Sequence, residues 1–492
     1  MSKIFYICLI IRLFTVFVVS TSFVPDELFQ SLEPAHRYTF NSGHLTWEWR
    51  FGLRSPIHVL CISFLYQLLQ FFNLDNHKTI TVLPRILHAI FFAFGDESLY
   101  KVTRNIFKDF KTAQLSLFLQ LSSWFLFYCA PRTLSNCIET TLFLIALRWY
   151  PFHESEWKKN SNLWKYISIG MVSIIIRPTA ILLWIPLGCL HLWRTQYRLS
   201  LLFKNVLPCG VLIFILSLIL DFWFYEKIIS TLYNFAMFNV FTGGSAFFGS
   251  NPWYYYLVDG LPAVLTTNIC FLIGYFFVKT SNSSNDLMYT LIFYVFFHSL
   301  LPHKEHRFLL PIVPISNIYG GYYLRDLITK RQKKFFLSAI CITSLINISF
   351  IVFFSIFHQA GPLNIIEDLR LRINETDSVN VLYLTPCYNL PQYVYFHDKP
   401  GVSIRALDCS PNIEMKKNYL PESDEFNLNP VLWIDKNRHL IDNANYIIIY
   451  EHAFNSNKEI LLKNFFICHK QYHGPIITNE YEDNYLYLLC KN

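Results

Sequence analysis

Runs of about 15 to 25 mostly apolar residues alternate with short polar connectors along most of the chain, and the alternation stops near residue 358. A segment crossing a bilayer must satisfy its own backbone hydrogen bonds, and a helix of about 20 residues does so. Such runs stand at 4–24, 57–73, 80–95, 113–129, 137–150, 166–190, 201–223, 257–278, 287–302, 308–322 and 335–357. They predict a polytopic α-helical membrane protein with about eleven spans. Several runs are short or contain proline, so the parity of the count does not fix sidedness. The first run is longer than a signal-peptide core, holds Arg12, and lacks a small-residue cleavage site before Pro25, so it reads as a retained anchor.

Beyond residue 358 the pattern changes to polar and charged, with short β-rich runs at 379–385, 446–450 and 485–490. This predicts a soluble α/β domain over 359–492 following a membrane domain over 1–358, whose first loop covers 25–56. The basic cluster Arg325, Lys330, Arg331, Lys333 and Lys334 precedes the last run and fits a cytosolic loop, which sends the tail to the lumenal side. Further basic residues gather at Lys101, Arg104, Lys108 and Lys111, and at Lys158, Lys159 and Lys165. The tail holds Cys387, Cys409, Cys468 and Cys490, which permit two disulfides of open connectivity, and the glycosylation sequon Asn374-Glu375-Thr376.

Composition agrees with a chain in lipid. Charged residues make up only 15% and mean hydropathy is +0.31, against about 25% charged in soluble domains. The net charge of +7 is spread over loops flanking spans, with no Lys/Arg run interleaved with base-stacking aromatics, so nucleic acid is not an expected partner. There is no closely spaced zinc-type cysteine pair and no Gly-rich phosphate loop.

Chemistry concentrates where charge meets the apolar runs. Asp26 and Glu27 follow the first run and can offer a general base near an interfacial lipid substrate; their bland reading is a solvated loop. In His303-Lys304-Glu305-His306-Arg307-Phe308, five ionisable residues stand between two runs. Arg307 can grip a phosphate bidentately and Lys304 can act as a point charge, unless the stretch is an ordinary loop of snorkelling side chains. Arg132 and Arg177 line a polar groove or, for Arg177, form a structural ion pair with Glu139. The glycine-broken stretch Phe241 to Tyr256 reads as an interfacial aromatic belt or a sugar-packing loop.

Taken in order, several stretches resemble motifs of the dolichol-phosphate-mannose-dependent mannosyltransferases of the endoplasmic reticulum. They are Val24-Pro25-Asp26-Glu27-Leu28-Phe29-Gln30-Ser31-Leu32-Glu33, Leu45-Thr46-Trp47-Glu48-Trp49, Arg54-Ser55, Arg132-Thr133-Leu134-Ser135-Asn136, Arg177-Pro178-Thr179-Ala180 and His303 to Phe308. Within that family, Leu45 to Trp49, Phe-Gly-Ser-Asn-Pro-Trp at 248–253, Leu384-Thr385-Pro386-Cys387 and Asp408-Cys409-Ser410-Pro411 are similar to the branch acting on the glycosylphosphatidylinositol (GPI) precursor. The chain departs from the family pattern at His306, where a second acidic residue often stands, and at Asn251, where histidine often stands.

The resemblance implies a GT-C-type fold with lumenal catalytic loops in the endoplasmic reticulum membrane. It implies transfer of the third mannose from dolichyl phosphate mannose to a 2-hydroxyl of the GPI precursor glycolipid, with inversion. Such a displacement needs one base and positive charge for the departing phosphate. The expected base is Asp26, with Glu27 next; the expected phosphate ligands are His303, Lys304 and Arg307. Gln30, Trp47, Glu48, Trp49, Arg54, Arg132 and Arg177 are expected along the acceptor and its groove. The scheme calls for no metal ion and no cofactor beyond the lipid-linked donor. Two other readings stay open: a sister mannosyltransferase of the dolichol-linked N-glycan precursor, and a lipid or sugar transporter, which predicts an internal repeat that the two halves lack.

Overall fold

Separated stretches of the chain assemble into two units. Met1–Val16, Gly52–His58 and Ile86–Ile351 form the first; Phe17–Phe51, Val59–Arg85 and Val352–Asn492 form the second. The computed structural model describes residues 2–157, 162–244, 247, 249–278, 285–412, 419–476 and 481–492. Lys158 and Lys159 of one basic cluster, and Ser245, Ala246 and Phe248 of the aromatic loop, lie outside the described residues.

Among the described residues, three helices are long and apolar enough to cross a membrane: His77–Phe107, Arg198–Tyr225 and Lys333–Arg372. A fourth candidate is the pair Tyr256–Leu265 and Asn268–Tyr275, bent by 112°. Shorter apolar helices occupy Ile57–Phe71, Leu163–Ile176 and Asp286–Leu300. Elsewhere local chemistry divides the apolar runs. The run over 113–129 breaks at Ser123 between helices Phe110–Ser122 and Trp124–Cys129. The run over 166–190 breaks at Arg177, because Pro178 cannot donate to the preceding turn; a 3-10 turn, Pro178–Ala180, then leads into Ile181–Arg194.

The first unit is held by apolar packing and by one buried polar ladder. Helix Ile312–Thr329 approaches Phe110–Ser122 so closely that a Cβ on Gly321 would collide with Ser116. Arg12 donates to Asp96 at 2.7 and 3.1 Å, and Gln120 Nε2 donates to the same carboxylate at 2.9 Å. Asn317 Nδ2 continues to Gln120 Oε1 at 3.1 Å, and Asn268 Nδ2 to Asn317 Oδ1 at 3.0 Å. All five side chains are buried, where an unpaired charge or amide would be costly.

The second unit is built on a five-stranded sheet: β1 Val379–Leu384, β2 Val402–Ala406, β3 Tyr446–Tyr450, β4 Phe465–Tyr472 and β5 Tyr485–Lys491. The order is β2-β1-β3-β5-β4, with β2, β1 and β3 parallel and β5 and β4 antiparallel. Both faces of this mixed sheet are covered, as its parallel half requires. Leu382, Leu384, Ile447, Ile449 and Leu489 pack with Trp433 and Phe454, while Val381, Tyr383, Ile448 and Leu488 pack with Ile365 and Leu369. The cysteines pair as Cys387–Cys409 and Cys468–Cys490.

Candidate active site

The expected site residues divide between the units. The first holds Arg54, Arg132, Arg177, His303, Lys304 and Arg307; the second holds Asp26, Glu27, Gln30, Trp47, Glu48 and Trp49.

In the first unit, stretches far apart in sequence meet around Phe308. The guanidinium of Arg177 lies 5.2 Å, and that of Arg307 5.4 Å, from the Phe308 ring centre, within cation–π range. Arg177 Nε lies 2.8 Å from Glu139 Oε2, a buried ion pair set off hydrogen-bond alignment, and its Nη1 donates to Ser135 Oγ at 3.4 Å. Asn136 Nδ2 donates to the Arg307 carbonyl at 3.2 Å, and Tyr294 donates to the Phe308 carbonyl at 2.8 Å. The motifs at 132–139, 177–179 and 303–308 thus share one neighbourhood. Arg132 is buried against Tyr128, its guanidinium 4.0 Å from the ring centre and its Nε donating to the Tyr128 carbonyl at 3.1 Å. The Arg54 carbonyl accepts from Tyr225 at 2.7 Å.

Glu305 organises the charged loop. Arg307 donates to it through Nε at 2.5 Å and Nη2 at 2.6 Å, a bidentate fork, and His303 Nε2 lies 2.7 Å from Oε1. Burial pushes the Glu305 carboxyl up, but Arg307 and His303 outweigh it and hold the group well below the usual carboxylate range. Lys304 is placed otherwise. Its ammonium donates to the carbonyls of Asn251 at 2.8 Å, Leu301 at 2.5 Å and Pro302 at 3.5 Å, so it ties the aromatic loop at Asn251 to its own loop. Asn251 answers with its N–H on the Pro302 carbonyl at 3.0 Å and its amide on the Lys304 carbonyl at 3.3 Å. His306 pairs with Asp259 at 2.9 Å, a partner that the sequence pattern did not single out.

In the second unit, Asp26 and Glu27 open a helical stretch and are partly exposed. A π-turn, Leu28–Leu32, follows, and then helix Glu33–Phe40. Trp49 Nε1 donates to the Phe29 carbonyl at 2.9 Å and Gln30 Nε2 donates to Glu48 Oε2 at 3.2 Å, which joins the stretch to the helical turn Trp47–Arg50. Phe29 and His44 lie 5.0 and 5.8 Å from Tyr388 of the tail. The first loop thereby meets the tail at Tyr388, next to Cys387. Glu33, quoted in the motif but given no task, is fully buried, and main-chain amides from two distant segments converge on it. Among the described residues, no group of three or more His, Cys, Asp or Glu is placed to hold a metal ion.

Residues 3–397 match the Alg9-like mannosyltransferase family. The chain belongs to that family. As an Alg9-like mannosyltransferase it is a glycosyltransferase, and its similarity to curated members runs nearly end to end. It is 37% identical over 427 residues to GPI alpha-1,2-mannosyltransferase 3 of Bos taurus, covering 86% of this chain and 77% of the relative. It is 33% identical over 506 residues to GPI mannosyltransferase 3 of Candida albicans, covering 100% and 98%. The Alg9-like chain also shares its fold with ArnT from Cupriavidus metallidurans, solved with undecaprenyl phosphate bound, at a TM-score of 0.63 and 10% identity over 98% and 96% of the two chains. The fold is that of the GT-C glycosyltransferases.

Proposed function

We propose that this enzyme is an α-1,2-mannosyltransferase that moves the third mannose from dolichyl phosphate mannose to the GPI precursor in the lumen of the endoplasmic reticulum. The observation that carries the reading is the match over most of the chain to relatives named GPI alpha-1,2-mannosyltransferase 3 and GPI mannosyltransferase 3, with both chains covered almost completely in the Candida case. In this reading residues 1–358 form the membrane domain with about eleven spans, and 359–492 form the lumenal domain. The two disulfides of the tail and the exposed turn that carries Asn374 support that side.

The reaction is a single displacement. Asp26, with Glu27 beside it, accepts the proton of the acceptor 2-hydroxyl as that oxygen attacks the anomeric carbon; the bond from that carbon to the phosphate oxygen breaks, and dolichyl phosphate leaves with the electron pair. Inversion follows from the one-step geometry. Arg307 and His303, oriented by Glu305, supply positive charge to the departing phosphate, and Arg177 extends that charge beside Phe308. Lys304 holds the loop that presents them. Trp47, Glu48 and Trp49, expected along the acceptor, are buried, so they shape the first loop from beneath rather than present faces to a sugar. No step uses a metal ion, because the donor carries no nucleotide diphosphate.

The test is complementation of cells lacking the third GPI mannosyltransferase, read as surface GPI-anchored protein and as the lipid-linked glycan that accumulates. Restoration that Asp26→Asn abolishes supports acceptor and base together. Persistence of a two-mannose intermediate despite good expression refutes the acceptor and directs the assay to the dolichol-linked N-glycan precursor.

A further inference from the structure

Glu33 is, among the described residues, the most completely enclosed carboxylate of the second unit, and its two oxygens are divided between two segments. Oε1 accepts the amides of Gln392 at 3.2 Å and Val394 at 3.1 Å; Oε2 accepts the amide of His44 at 3.1 Å. One turn further on, His36 Nε2 lies 2.8 Å from His397 Nδ1. Gly43 completes the seat, since a Cβ there would stand 2.6 Å from the Glu33 carbonyl oxygen and 2.8 Å from Arg37. Taking a carboxylate out of water costs several kcal/mol, and an apolar side chain would fill the space without that cost. A buried carboxylate on three amides is therefore a device for fixing backbone position.

What it fixes is the stretch that begins at Asp26 and Glu27. That stretch is helical from Asp26, passes through the π-turn, and reaches Glu33 six residues beyond Glu27, about 9 Å along a helix axis. Its other end is tied by the Glu27 amide on the Val24 carbonyl at 3.2 Å and by Ser31 Oγ on the Glu27 carbonyl at 2.6 Å. A rigid element clamped at Glu33 carries a displacement there to the acid pair nearly undiminished, and about 1 Å of misplacement can cost about a hundredfold in rate. We infer that Glu33 is a positioning residue for mannosyl transfer, holding the Asp26–Glu27 end of its helix in register against residues 392–394 of the tail. The inference rests on the proposed function, because it takes that acidic pair as the base.

The experiment measures kcat and both KM values in membranes of knockout cells that express each variant, with dolichyl phosphate mannose and a dimannosyl GPI acceptor. Glu33→Ala is expected to lower kcat about a hundredfold with both KM values within about threefold. Glu33→Gln keeps an oxygen for Gln392 and Val394 but faces an N–H toward the His44 amide; it is expected to lose about tenfold in kcat and to decide the question if the alanine variant does not accumulate. A second readout is pH. Burial pushes the Glu33 carboxyl up to about 7, against the pull of the amides. Burial lowers His36 and His44 to about 4 and raises Tyr383, so these three neighbours stay neutral there. The wild-type kcat should fall with acid near pH 7, and Glu33→Gln should lack that limb. A Glu33→Gln kcat within twofold of wild type, a loss carried by KM alone, or an unchanged acid limb overturns the assignment. If the wild type transfers nothing to the GPI acceptor, the proposed function fails by itself, and the same kcat split on the N-glycan precursor acceptor decides the role of Glu33.

Discussion

Two polar loops, one in each unit, satisfy a carboxylate in opposite ways, one partly exposed and one fully buried. In the first unit Glu305 is met by formal charge, two donors of Arg307 and a ring nitrogen of His303. In the second unit Glu33 is met only by partial charge, the amides of His44, Gln392 and Val394. The first arrangement orients the side chains of two cationic residues. The second orients main chain, and spends no formal charge in doing so.

The comparison breaks most easily at Glu305. Glu305→Ala leaves Arg307 and His303 without their carboxylate, and kcat/KM for mannosyl transfer is expected to drop about a thousandfold, the scale of losing a preorganised charge-stabilising group. Retention of more than a tenth of the rate in membranes would show that the cations orient themselves without it. On the other side, Gly43→Ala pushes a methyl group into the backbone of Glu33 and Arg37. A loss of about 1–3 kcal/mol in thermal melts of the detergent-solubilised enzyme is expected, as for overpacking in a tight core.

The smallest effect sharpens the comparison through pH. Glu305 titrates below the usual range in the fold, so its stabilisation is complete above about pH 4.5 and is lost only as acid passes through its folded value. It gives no slope between pH 5 and 8. Glu33 runs the other way: its folded value of about 7 exceeds the ordinary 4.5, so the fold binds more protons than the unfolded chain between the two, and its contribution falls as pH rises through that window. His36 and His44, lowered to about 4 by burial, slope upward from there toward their ordinary value of 6.5. The difference between wild type and Glu33→Gln isolates the carboxyl. Melting temperatures should converge as pH rises from 5 to 7 if wild type starts higher; parallel curves would remove the contrast with Glu305.

The legible parts of this chain were those with a physical penalty attached. Arg177, Glu139 and Arg307 stood out because charge beside apolar runs is expensive, and the fold brings all three to Phe308 or its neighbours. Inner strands β1, β3 and β5 were readable as apolar runs, being covered on both faces. Edge strands β2 and β4 were not, since Ser403 and Arg405 in one and His469, Lys470 and Gln471 in the other belong to partly solvated rims. The task of Glu33 had no signature at all, because its partners are main-chain amides that every residue but proline possesses. Lys304 was legible as a cation but not as a brace, for the same reason: its partners are carbonyls.

The two disulfides fall at the rims of the sheet. Cys468 lies in edge strand β4 and bonds to Cys490 of its neighbour β5, while Cys409, three residues past edge strand β2, bonds to Cys387, three past β1. An open sheet edge is a template on which another chain can add strands. With both borders sewn to the interior, neither can peel away to expose the next row of amides, and the hem closes only after the tail meets an oxidising environment. Covalent closure thus guards both borders of the sheet against pairing with other copies of the chain.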